Sequence, residues 1–312
     1  MKPRAAVLDT YWYFAAERQN IFFKKLHAEL PFTNDPILKQ YKFCNVYRAL
    51  DRASQFLLRS VIYNGSNFNP EDILFRIFLF RLFNRNETWV TLEKKVGNIN
   101  LRDFSPEEYA QAFEAIKTSG VSIYGNAFIL CANKHFGFDK KYQNHLALLE
   151  YVFIKSDFAQ RLLAVKSLKD LFCTLRELPL IGDFMAYQIA IDFNYAEIFS
   201  FSENDFTIAG PGARRGIKKC FVDIGHYSEA DVIHWMVDNQ EKEFQRLGLT
   251  FQRLGHRPLH AIDCQGLFCE TDKYCRVKFP ELASNRIKIK AKYQPHSEEL
   301  KYFFPPKWQV KI

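Results

Sequence analysis

Apolar residues recur along almost the whole chain at spacings of three and four, the period of a helix that hides one side. Asp9 or Thr10 can cap the first such segment, YWYFAAERQNIFFKKLHAEL, which Pro31 stops. After the turn TNDP, a stretch from Asn45 to about Tyr63 (NVYRALDRASQFLLRSVIY) reads as one long amphipathic helix. GSNFNPED is a loop with Pro70 at a helix start. The run ILFRIFLFRLF, broken by Arg76, Arg81 and Arg85, is expected to be a buried amphipathic helix. Ser105-Pro106-Glu107-Glu108 puts proline at a first helical position and acids in the first turn. IYGNAFILCANKHF and YQNHLALLEYVFIKS read as helices, Ser167 to Asp170 opens another, and helices resume near Ala213, Ser228 and His260. Period-two alternation is confined to RIKIKAKY (286–293), where a short strand or an extended arm is expected. No internal repeat, low-complexity tract or long linker is visible, and the expected fold is all-α.

The densest signal is LPLIGDFMAYQIAIDFNYAEIFSFSENDFTIAGPGARRGIKK, residues 178–219. A short helix ending in L-P-x-x-G, followed by a helix with a small residue four places on, has the form of a helix-hairpin-helix. Leu180, Gly182, Asp183 and Ala186 are its candidate DNA-contacting positions. Gly182 is expected to let the backbone turn tightly, and amides at the second helix start would bind a phosphate without reading bases. An ordinary helix-to-helix turn gives the same letters. The pattern resembles the helix-hairpin-helix DNA glycosylases, in which a catalytic Asp follows the hairpin at about the distance of Asp205. That resemblance implies a two-lobed fold with a cleft between lobes and Asp205 on its rim. A helical barrel over about 64–200 would end in the hairpin, with 1–63 and 201–312 forming the second lobe. Bifunctional members place a lysine two residues after the hairpin glycine; Phe184 stands there, so Schiff-base lyase chemistry through this position is excluded.

Composition narrows the classes. At 312 residues with 48% apolar and 16% aromatic side chains, the chain can bury an ample core. Lys and Arg number 43 against 35 Asp and Glu, a net charge of +8 that suits a polyanion such as DNA. No apolar run reaches membrane-spanning length, so no membrane partner is expected. The N-terminus lacks a signal peptide, and seven cysteines without paired spacing fit reduced thiols. An intracellular setting is expected: the cytoplasm of a bacterium or phage-infected cell, or a nucleus. Cys264, Cys269 and Cys275 lie close together, but their C-x4-C-x5-C spacing has no C-x2-C pair and no near fourth ligand, so no metal is expected.

YWYFAAERQNIFF, TNDPILKQYKFCNVYRALDRASQFL, FTIAGPGARRGIKK and AIDCQGLFCETDKYCR together resemble the α-glutamyl/putrescinyl-thymine pyrophosphorylase family, catalogued also under the helical domain of 5-hydroxymethyluracil DNA kinase. The likeness spans roughly residues 11–282. It implies a transferase of DNA hypermodification, in which an amine or amino acid displaces pyrophosphate from a pyrophosphorylated 5-hydroxymethyluracil. The expected partners are double-stranded DNA with a flipped base, and that small nucleophile. No cofactor would be required, and Mg2+ could accompany the pyrophosphate. An ATP-dependent kinase of the P-loop type is not supported: Gly216 is followed by Ile217, and no Ser or Thr follows Lys218.

Such chemistry needs a base, a holder for the leaving anion and a pocket for the nucleobase. Asp205 is the expected base, or else a helix N-cap. Glu17 and Asp263 are further candidate catalytic carboxylates. Gly210, Gly212, Arg214 and Lys218, with Arg215 and Lys219, combine glycine-rich backbone with cations at a helix start and suit pyrophosphate, or equally a solvated face along DNA. Asn45, Arg48, Asp51 and Arg52 recur at helical spacing, and the family likeness points Arg48 and Arg52 into a cleft; an exposed charged face is the alternative. Arg18, beside Glu17, carries the same two readings. Asp263, Gln265, Glu270 and Lys273 stand in an otherwise apolar helix as a pocket wall or as buried hydrogen-bonding groups. Tyr11, Trp12 and Tyr13 read as base-stacking rings or as aromatic core.

Overall fold

The computed structural model describes residues 1–126, 130, 132–282, 286–295 and 300–312. Among these the α-helices are, in chain order, α1 (Ala5–Leu26), α2 (Pro36–Gln40), α3 (Arg52–Phe56), α4 (Pro70–Phe83), α5 (Asn86–Val96), α6 (Pro106–Thr118), α7 (Lys141–Phe153), α8 (Phe158–Ala164), α9 (Leu168–Arg176), α10 (Asp183–Tyr195), α11 (Pro211–Cys220), α12 (Glu229–Arg246) and α13 (Ala261–Lys278). The fold is all-α apart from a two-stranded antiparallel ribbon, β1 (Lys2–Pro3) with β2 (Phe221–Asp223). Two compact units divide the chain. One holds Met1–Asp51, Phe206–Tyr302 and Gln309–Ile312; the other holds Arg52–Asp205 and Phe303–Trp308. No helix among the described residues is long and apolar enough to cross a membrane.

Side-chain capping accounts for five of the helix starts among the described residues. Asn69, Ser105, Ser167 and Ser228 each accept a backbone N–H of the first turn, and Ser228 with Asp231 forms a capping box. Asp35 caps α2 by accepting from Ile37 and Leu38. The first helix begins earlier than expected. It starts at Ala5, and the Thr10 hydroxyl donates back to the Ala6 carbonyl instead of capping.

The stretch 45–63 is not one helix. It is a 3-10 turn (Arg48–Leu50), the short α3, and a π turn (Leu57–Ile62). The cause is local. The Asn45 N–H donates to Asp51 Oδ1 at 2.8 Å and its Nδ2 donates to the Leu50 carbonyl at 2.9 Å, bonds that compete with helical ones. Asn45, Arg48, Asp51 and Arg52 therefore do not share a helix face.

In the Arg52–Asp205 unit, α4 and α10 are the central helices. From Leu74 to Phe83 every residue of α4 is buried, so the helix is enclosed all round and not amphipathic. Its arginines are internal. Arg76 donates to the carbonyls of Val61 (2.8 Å), Ser60 (3.0 Å) and Ile99, capturing backbone oxygens at the π turn. Arg81 pairs with the fully buried Asp192 of α10 at 2.6 Å. Around 123–136, the described residues are loop; Ala127–Ile129 and Cys131 of the expected helix lie outside the described residues. Between α9 and α10 the tight turn is made by Leu180, at φ 69°, and not by Gly182, which has an ordinary φ of −84° and serves as the N-cap residue of α10.

In the other unit α13 lies against α1, α11 and α12. The α11 contact is close because Gly212 and Gly216, four residues apart, face α13: an added Cβ would sit 2.2 Å from Cys269 Sγ and 2.0 Å from the Phe268 carbonyl oxygen. The arm 286–293 forms no strand; Lys292 makes a single bridge with Tyr41.

Candidate active site

The α1–α13 unit draws several sequence-predicted residues together. Residues 44–48 run along α13 and are tied to it at two points. The Cys44 N–H donates to Glu270 Oε2 at 3.0 Å, and the Arg48 N–H donates to Asp263 Oδ1 at 3.0 Å. Asp263 also accepts from the His260 N–H at 3.1 Å, closing a capping box at the start of α13. From α1, Arg18 Nη2 donates to Asn45 Oδ1 at 2.7 Å, and Asn45 in turn holds Asp51. Lys273 pairs with Glu270 at 2.6 Å and lies 4.5 Å from the centroid of the Phe43 ring. Arg18, Asn45, Arg48, Asp263 and Lys273 thus form one constellation, which Asp51, Glu270 and Cys44 complete.

Its electrostatics are uneven. Burial lifts the Asp51 carboxyl to about 6; the Asn45 amide and the Arg18 charge pull it back, while Glu270 pushes it further up. Burial holds the Arg18 guanidinium below its ordinary range, with Asp51 opposing. The charges of Asp51 and Glu270, and then burial, push the Cys44 thiol well up. A carboxyl that titrates near neutrality beside arginines can accept a proton and face an anion in one place.

Other predicted residues of this unit lie elsewhere. Glu17 accepts from the Thr33 hydroxyl and lines a polar hollow of about 460 Å³ with Tyr13, Asn20, Lys24, Thr33, Asn34, Asp35 and Pro36. Gln265 is buried on α13. Gly210 is the N-cap residue of α11, and Gly212 is held against Cys269, so helix packing accounts for that glycine. Arg214 is exposed and pairs with Glu229 at 2.9 Å, and Lys218 is exposed. Arg215 and Lys219 turn inward to Asp272, at 3.1 and 3.0 Å. The four cations of α11 are therefore split, two outside and two bound to a buried carboxylate. Tyr11 and Trp12 are fully buried, which makes them aromatic core; Tyr13 donates to Asp35 Oδ2 at 3.1 Å.

Asp205, Leu180, Gly182, Asp183, Ala186 and Arg52 belong to the Arg52–Asp205 unit. Asp205 is exposed in a turn, its N–H donating to the Ser202 carbonyl at 3.2 Å, and it does not cap α11, which starts six residues later. Gly182 is exposed, Asp183 pairs with Arg176, and Ala186 is buried. Among the described residues no three His, Cys, Asp or Glu side chains converge as a metal site. Cys264 and Cys275 are buried, and Cys269 sits under Gly212.

Sequence reasoning missed the linking roles of Asp51 and Glu270 and the ring of cations on Asp272, because each depends on segments far apart in the chain.

A 5-hmdU DNA kinase of Bacillus phage SP10 is 27% identical over 286 residues, covering 85% of this chain and 44% of the phage protein. The chain thus spans less than half the length of that relative. No solved structure matches it. The profile of the family described as 5-hmdU DNA kinase, helical domain, matches residues 5–284, and the chain belongs to that family.

Proposed function

We propose that this chain handles a modified pyrimidine in DNA and replaces an activated group on its exocyclic carbon. In this reading DNA carries 5-hydroxymethyluracil as its pyrophosphate, and the second substrate is a small amine or amino acid. The amine nitrogen attacks the exocyclic CH2. A C–N bond forms as the C–O bond breaks, and the electron pair leaves with pyrophosphate. The surplus proton on nitrogen passes to a carboxylate. Asp51 suits that step because burial lifts its carboxyl to about 6. Arg18, Arg48 and Lys273 supply positive charge for the departing anion, and Mg2+ would enter on the pyrophosphate.

What carries this reading is one half-buried set, Arg18, Asn45, Asp51, Asp263, Glu270 and Lys273, in a chain of a family named for a kinase of 5-hmdU in DNA. No P-loop lies in this chain, so ATP-dependent phosphoryl transfer of that type is not part of this reading. The turn before α10, exposed at Gly182, would bind DNA phosphates in the manner of a helix-hairpin-helix, with the target base turned out of the stack.

A second reading is a monofunctional glycosylase using Asp205; the exposed N-cap of α10 and an exposed Asp205 in the same unit favour it. One assay separates them. DNA carrying pyrophosphorylated 5-hydroxymethyluracil is incubated with the protein and a mixture of amines and amino acids, and its nucleosides are analysed by mass spectrometry. Transfer yields an aminated deoxyuridine, with the glycosidic bond intact. Release of free base would establish the glycosylase, and unaltered DNA with salt-sensitive binding would leave a non-catalytic DNA-binding protein.

A further inference from the structure

Three glycines lie inside α-helices among the described residues, and they are not alike. Gly212 and Gly216 are glycines because α13 leaves no room for a side chain. Gly266, in the middle of α13, has nothing within 4 Å of the position a Cβ would take. Its backbone is ordinary helix, so no positive φ demands glycine. A glycine there weakens the helix relative to alanine, and nothing within the protein compensates.

Its surroundings supply a reason. Asp263, Gly266, Glu270 and Lys273 follow one another at spacings of three, four and three and so share one face of α13. On one side of that face, residues 44–48 pass from Glu270 to Asp263. On the other side the first turn of α11 lands on Cys269, three residues from Gly266. Gly266 is partly exposed between these flanks. A strip of bare helix backbone is therefore left open between charged groups of both signs. Such a strip accepts a flat ring at close approach, and a pyrimidine ring carries carbonyl acceptors and an N–H donor along its edge. Lys273 can donate to a carbonyl, and Asp263 or Glu270 can accept from the N–H.

We infer that Gly266 is the floor of the subsite that receives the ring of a 5-hydroxymethylated pyrimidine, kept free of a side chain so that the ring can lie against α13. The inference rests on the reading that this chain handles a modified pyrimidine in DNA, and it names the surface that holds the ring.

The test uses the full chain, its Gly266→Ala variant, and two duplexes of one sequence that differ at a single position, pyrophosphorylated 5-hydroxymethyluracil or thymine. Thermal melting is read beside affinity for each duplex. Alanine should leave the melting temperature unchanged or raise it by about 1–3 °C, because it improves a helix interior without a clash. The same methyl group should reduce the preference for the pyrophosphorylated 5-hydroxymethyluracil duplex by about tenfold. Affinity for the thymine duplex, governed by phosphates, should not change. A lower melting temperature in the variant would make Gly266 a packing residue and overturn the inference, as would a preference that survives the substitution. A wild-type protein that does not distinguish the duplexes would instead remove the functional reading, and the ring subsite with it.

Discussion

The two sides of α13 treat buried charge in opposite ways. On the side packed against α11, Asp272 is fully buried and held by three cations: Arg276 at 2.6 Å, Lys219 at 3.0 Å and Arg215 at 3.1 Å. Burial opposes its ionisation, but Arg276 and Lys219 hold the carboxyl below its ordinary range. On the side facing residues 44–51, Asp51 accepts from the Asn45 amide, has Glu270 as a like-charged neighbour, and is lifted to about 6. Glycines follow the same division, with Gly212 and Gly216 filled by close packing and Gly266 bare. A carboxylate saturated with cations fastens one helix to another. A carboxylate whose burial outweighs its cations retains a proton affinity that chemistry can use.

The largest effect that would break this comparison lies on the closed side. Asp272→Ala leaves three cations around a buried void and should cost about 3–5 kcal/mol of stability, measured by chemical denaturation. A loss near zero would show that the network is not structural.

On the open side the expected loss is in turnover, not in fold. Asp51→Asn should lower the rate by roughly two to four orders of magnitude, and wild-type activity should rise with pH through about 6 as the carboxylate forms. Stability should move the other way. A carboxyl whose folded value is raised binds its proton more tightly in the fold, so its stabilising contribution is complete at low pH and is lost as pH rises through about 6. The variant should therefore gain on the order of 1–2 kcal/mol over wild type above pH 6. Equal turnover in wild type and variant, with Asp205→Asn inactive, would move the proton acceptor to the other unit.

How much of this was legible in the sequence follows from how local each signal is. Helices starting at Pro70, Pro106, Leu168 and Glu229 were readable because cap, proline and first-turn acids are neighbours. The break at 45–51 was not, since the Asn45 and Asp51 side chains bond backbone that helical periodicity assigns to the helix itself. The enclosure of Arg76 and Arg81 was hidden because their partners, Ser60, Val61, Ile99 and Asp192, are distant in sequence. In the letters GPGARRGIKK the four cations look equivalent; only the packing of α11 on α13 sends Arg215 and Lys219 inward and leaves Arg214 and Lys218 outside. Asp263 and Lys273 stand out by polarity in an otherwise apolar helix, and Arg48 came from the family likeness and a helical spacing that the structure does not keep, whereas Gly266 carried no sequence signal that set it apart from Gly212.

The central claim is that the open side of α13 meets the modified base and that Asp51 is its titrating group. Carbon-13 NMR of the Asp51 side-chain carboxyl, followed through pH in the free protein and with each of the two duplexes, tests it most directly. The account predicts a midpoint near 6 in the free protein, displaced by the pyrophosphorylated 5-hydroxymethyluracil duplex and not by the thymine duplex. An ordinary carboxylate midpoint, unmoved by either duplex, would contradict it.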